Sequence, residues 1–271
     1  MRAAIWAIAL VLCMSQINIA LAASISGKET YSLSRSVLIE ERTAIWCPSC
    51  AEIDPQLNDV QRSHGMRIAM VALHVGDEFE NDASRERMEY QNKTHTGNFG
   101  TPSFFVDGLM TAEGYDSWND VQRKILTQEL SRGNPTQINV SYNQEIEYEK
   151  PPHGQLSILI LEHEKKVPEG VENPGGVDRD RVLVGYIVVD DNGTEVKSLG
   201  VTNPSQIEKW SLIFIHEPVN GGEPYGVFEL SNRILTQEIS DLLFEIVFIT
   251  SMLGAILIFM PKNKFPDSEE E

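Results

Sequence analysis

The 271-residue chain is short of cysteine and of positive charge. Of its three cysteines, Cys13 lies in the apolar stretch Ile5–Met14, behind Arg2 and ahead of the small-residue site Ala20-Leu21-Ala22. That pattern reads as a secretory leader, residues 1–22, removed after Ala22. Leu12 is too bulky to precede a lipid-bearing cysteine. The mature chain is therefore left with one pair, Cys47 and Cys50, and no spare thiol.

Basic side chains number 22 against 40 acidic, for a formal charge of −18. Such a surface repels nucleic acid and anionic lipid heads, so no nucleic-acid partner is expected. Other signals are missing as well. There is no phosphate-cradling glycine loop, serine-nucleophile elbow or nucleotide fingerprint, and no cofactor is expected. His74, His153, His163 and His216 have no partners at ligand spacing, so no metal is expected and packing or solvated roles are assigned to them.

What is present begins with Trp46-Cys47-Pro48-Ser49-Cys50, directly after the apolar run Val37-Leu38-Ile39. Two cysteines at this spacing, where a strand gives way to a helix, let one sulfur attack a disulfide and the other resolve the product. A structural zinc half-site or a static disulfide are the blander readings of the pair. The sequons at Asn92, Asn139 and Asn192 fit an exported chain but recur by chance.

A second membrane signal runs from Leu242 to Met260, long enough to cross a hydrocarbon core of roughly 30 Å as one helix. Lys262 and Lys264 follow it, which puts the tail 261–271 in the cytoplasm and the bulk of the chain outside. Between the two membrane signals, composition changes near Gly133-Asn134-Pro135. Residues 34–133 alternate short apolar runs with helical patterns, including a solvated helix over Glu86–Lys93 and a closing helix over Asp116–Arg132. Residues 135–235 read as strands only, with buried runs at Leu156–Leu161 and Val182–Val189 and a hairpin signal at Asp191-Asn192-Gly193. The expected architecture is an α/β domain followed by an all-β, immunoglobulin-like sandwich and one C-terminal transmembrane helix.

The first domain resembles the thioredoxin superfamily. Trp46-Cys47-Pro48-Ser49-Cys50 is similar to that family's W-C-x-x-C site, and Pro55 to the proline that kinks its first active-site helix. Gly100-Thr101-Pro102-Ser103-Phe104-Phe105-Val106-Asp107-Gly108 is similar to its cis-proline loop, strand and turn. The resemblance covers roughly residues 34–132, with an added helix around Asp82–His95. It implies a thioredoxin-like fold, a redox disulfide between Cys47 and Cys50, and a substrate-binding rim of Trp46, Thr101 and Pro102. It also implies a buried acid that relays the proton of Cys50. Glu41 holds the matching position and shares a strand face with Val37 and Ile39, whereas Glu40 shares the face of Leu38 and is the fallback.

Physical placement adds the roles. A thiolate at a helix start is favoured by free backbone N–H groups and the helix dipole, which makes Cys47 the expected nucleophile and Cys50 the resolving thiol. The expected function is a membrane-tethered, extracytoplasmic thiol–disulfide oxidoreductase, with protein thiols and disulfides as substrates and a redox partner protein. The alternative is an adhesion or assembly protein in which the first domain is a scaffold and the sandwich binds.

Overall fold

The computed structural model describes residues 30–97, 99–131 and 133–233, and residue 250. The expected leader, and the transmembrane segment 242–260 and tail 261–271 apart from residue 250, lie outside the described residues. Among the described residues no helix is long and apolar enough to cross a membrane.

One mixed sheet dominates the compact unit that ends at Arg233. Its centre is β2 (Val37–Thr43) beside β3 (Ile68–His74), parallel, each buried along its whole length. Antiparallel β4 (Ser103–Val106) and β5 (Leu109–Glu113) extend one side. On the other side β11 (Val182–Asp190) joins β3 in parallel through Val182 and Ala72, and Ala72 N donates to Arg181 O at 2.9 Å. Beyond it come β8 (Gln155–Glu162), β13 (Trp210–Glu217) and β14 (Gly226–Ser231), with β12 (Glu195–Gly200) paired to the free part of β11. Among the described residues nine strands form this sheet, and β9 (Lys165–Lys166) and β10 (Asp178–Arg179) pair separately.

That continuity corrects the expected fold class. The chain is not a thioredoxin-like α/β domain followed by a separate immunoglobulin-like sandwich, because the strands assigned to the sandwich continue the sheet of the first half. The physical reason lies in Leu156–Leu161 and Val182–Val189. Unbroken apolar runs suit any strand covered on both faces, and periodicity does not say which sheet the strand joins. Here one face of β8 and β13 packs against a small sheet of β1 (Thr30–Ser32), β6 (Asn139–Asn143) and β7 (Glu145–Tyr148), through Leu33, Ile138 and Val140.

Among the described residues three α-helices flank the large sheet. α1 (Pro48–His64) starts with Cys47 as N-cap and Pro48 at its first position, where the missing N–H costs nothing, and stops at Gly65 with φ 57°, which glycine adopts freely. Its stripe Ile53, Leu57 and Val60 packs with α3 (Trp118–Ser131) over Val37, Ile39 and Met70. α2 (Asp82–Asn92), opened by a reciprocal Asn81–Ser84 capping box, covers the opposite face. It is not the solvated helix its charges suggest. Ala83, Arg87, Tyr90 and Gln91 are buried, and Arg87 is held by carboxylates from two distant strands.

Candidate redox centre

β2 ends at Thr43, and residues 44–47 turn the chain into α1. The turn is pinned from three directions. Ile45 N donates to Asp77 Oδ2 at 2.6 Å, the Trp46 indole N–H donates to Gly76 O at 3.1 Å, and Arg179 Nη2 donates to Ile45 O at 3.2 Å. Cys47 and Cys50 are joined as a disulfide with Cα atoms 5.3 Å apart, and Cys50 N donates to Cys47 Sγ at 3.1 Å. Both cysteines are buried, whereas Trp46 keeps 43 % of its surface exposed and forms an open rim.

The Thr101–Pro102 bond is cis. Ser103 pairs with Arg42, so Thr101 and Pro102 lie at the end of the sheet where β2 delivers the chain to the cysteines. Pro102 is buried and its carbonyl accepts from Gly114 N at 2.8 Å, while Thr101 is part-exposed.

Alternation along β2 separates the two candidate acids. Glu40 points to the α2 face, where Arg87 Nε donates to its Oε1 at 2.7 Å. Glu41 points to the α1 face, is 3 % exposed, and its Oε1 has no hydrogen-bond partner among the described residues. Burial first, and then the Asp54 carboxylate, push the Glu41 carboxyl well above its ordinary range; Arg181, Arg179 and the Thr43 hydroxyl oppose them without prevailing. Burial thus favours the protonated form of Glu41, which lies on the α1 side of the sheet, the side onto which Cys50 is buried.

Asp54, Arg179 and Arg181 escaped the sequence reading, which assigned His74 only a packing or solvated role. Asp54, one turn beyond Cys50, has its carboxyl raised by burial despite Arg181, Arg179 and His74. His74 Nδ1 lies 2.6 Å from the same Asp77 oxygen that holds Ile45 N. Burial raises the Asp77 carboxyl, but its bonds from His74, Ile45 and Phe79 outweigh that and leave it below the ordinary range. Arg179 and Arg181 come from the far half of the chain; Arg179 Nε sits 3.8 Å from Asp54 Oδ2, and Arg181 Nη1 donates to Asn58 Oδ1 at 2.6 Å. The i, i+4 spacing of Cys50 and Asp54 was a usable signal, whereas nothing in the sequence brings residues 179–181 here.

No family model and no curated protein matches the chain. Solved structures similar to it include two. HBP35 of Porphyromonas gingivalis is 14 % identical, with 77 % of this chain and 80 % of that one covered and a TM-score of 0.49. Protein AGR_C_4864 from Agrobacterium tumefaciens is 12 % identical, with 76 % and 98 % covered and a TM-score of 0.49.

Proposed function

We propose that this chain is a thiol–disulfide oxidoreductase working through Cys47 and Cys50 on protein thiols and disulfides. The reading rests on a disulfide at the start of α1, with Glu41, buried and its carboxyl raised by that burial, on the α1 face of the strand that leads into it. In the oxidising direction a substrate thiolate attacks Cys47 Sγ and the Cys47–Cys50 bond breaks. Cys50 leaves as thiolate and takes the Glu41 proton. A second substrate thiolate then attacks the substrate sulfur of the mixed disulfide, forming the substrate disulfide and releasing the Cys47 thiolate. Two electrons have moved from substrate to protein.

In reverse, the Cys47 thiolate opens a substrate disulfide and Cys50 gives its proton to the Glu41 carboxylate. The Cys50 thiolate then attacks Cys47 and expels the second substrate sulfur. The same parts serve both directions, and the potential of the partner sets the flow. Trp46 and the Thr101–Pro102 loop form the substrate rim in this account. Leader and C-terminal span, both read from sequence, would hold the site outside the cytoplasm.

The test is equilibration of the full chain, in detergent micelles, with glutathione buffers, followed by thiol alkylation. A reversible two-electron transition of Cys47 and Cys50 within the range of glutathione buffers is expected. A disulfide inert to every buffer would leave the pair structural.

A further inference from the structure

Arg179 and Arg181 enter the redox centre from 120 to 134 residues away in sequence, and their contacts are specific. Arg179 bonds the carbonyl of Ile45, in the turn that leads to Cys47, and pairs with Asp54 on α1. Arg181 bonds Asn58 and Gln61 on the same helix while its own carbonyl receives Ala72 N from β3. Arg181 holds this position with φ 58°, a left-handed conformation uncommon outside glycine. Beside them opens a polar cleft of about 320 Å³, lined by Asp54, Asn58, Arg179, Asp180, Arg181 and Arg233 among others. The cleft gives the Asp54 side of the carboxyl pair a route to water that the buried Glu41 lacks.

The charges around the pair are unequal. Glu41 on β2 faces Asp54 from α1 and Arg179 and Arg181 from the far half. Asp54 faces the same arginines, His74 at the end of β3, and Asp180. Asp180 is already engaged by His163, Arg181 and Arg233. The two arginines are thus the positive charges that act on both carboxyls.

We propose that Arg179 and Arg181 are positioning residues of the redox centre, which set how tightly the Glu41–Asp54 carboxyl pair holds the proton exchanged with Cys50. The far half of the sheet is then part of the redox machinery, not an appended module. This rests on the thiol–disulfide reading above. Removing either charge strengthens the pair's hold on its proton. The carboxylate needed to deprotonate Cys50 then appears only at higher pH.

The experiment follows the Glu41 side-chain carbon by NMR titration in the oxidised full chain, alongside the pH profile of mixed-disulfide resolution. In Arg181→Gln and Arg179→Gln the Glu41 midpoint should rise by roughly one pH unit, the size of effect one neighbouring charge exerts on a carboxyl. The resolution profile should move the same way, and Arg181→Lys should restore both. If Arg181→Gln fails to fold, Arg179→Gln and the part-exposed Asp54→Asn decide, the latter lowering the Glu41 midpoint. A chain that exchanges thiols while Glu41 titrates alike in all variants overturns the proposal. A wild-type chain that exchanges no thiols overturns the reading beneath it, whatever the titration shows.

Discussion

Arg87 Nη1 donates to Glu217 Oε1 at 2.6 Å, across 130 residues of sequence. The same guanidinium donates through Nε to Glu40 on β2, so one fully buried cation ties α2 to both halves of the large sheet. Burial opposes the charge on Arg87, but Glu217 and Glu40 outweigh it and hold its pKa well above the ordinary value. Ser157 and Gln155 on β8 complete the cluster by donating to Glu217 Oε1.

Arg87→Met should therefore be among the most damaging single changes. It leaves two buried carboxylates without their cation, a loss of about 3–5 kcal/mol. Urea unfolding at pH 7 should show the loss. A change within about 0.5 kcal/mol at pH 7 would mean that the cluster is hydrated in solution.

Glu41→Gln separates the energetic role of Glu41 from its proposed chemical one. A carboxyl whose folded pKa is raised favours the fold most below its unfolded value, near 4.3, and that contribution fades as pH climbs through the folded pKa. Gln does not ionise. The variant should gain stability relative to wild type as pH rises above about 4.3, levelling off once Glu41 is ionised in the folded wild type. A flat difference between pH 4 and 9 would contradict the burial of this acid.

The same substitution should slow resolution of the mixed disulfide by about 100-fold or more, the lower range for loss of a general acid–base group. Alkylation of reduced Cys47 should change far less, since it needs only the Cys47 thiolate. Stopped-flow quenching of the two reactions checks this. Equal slowing of both would tie Glu41 to the Cys47 thiolate itself.

How much of this was legible in the sequence differs by element. The alternation of β2 sorted Glu40 from Glu41, because period-two geometry fixes which side chains share a face. The extra helix after β3 was also visible, although the charges on α2 concealed that Arg87 and Gln91 are buried with partners from elsewhere. β12 was missed because it is largely exposed and has no apolar run. The sheet itself was misjudged at β11. A parallel contact between Val182 and Ala72 leaves no local trace, and the same contact carries Arg179 and Arg181 to α1 and the turn before it.

The membrane arrangement is an expectation read from sequence alone and is tested separately. Protease added to intact cells should remove most of the chain while a tag placed after Glu271 stays protected. Digestion of the tag with survival of the residues around Cys47 would invert the topology.

The most direct measurement of the central claim traps the covalent intermediate. The full chain is reduced, mixed with a disulfide-bonded protein substrate, quenched with acid and read by mass spectrometry. Cys50→Ala should accumulate a mixed disulfide through Cys47, because the sulfur that would resolve it is gone, and Cys47→Ala should accumulate none. No mixed disulfide with either variant, or equal trapping by both, would contradict the assignment of Cys47 as the attacking sulfur and Cys50 as the resolving one.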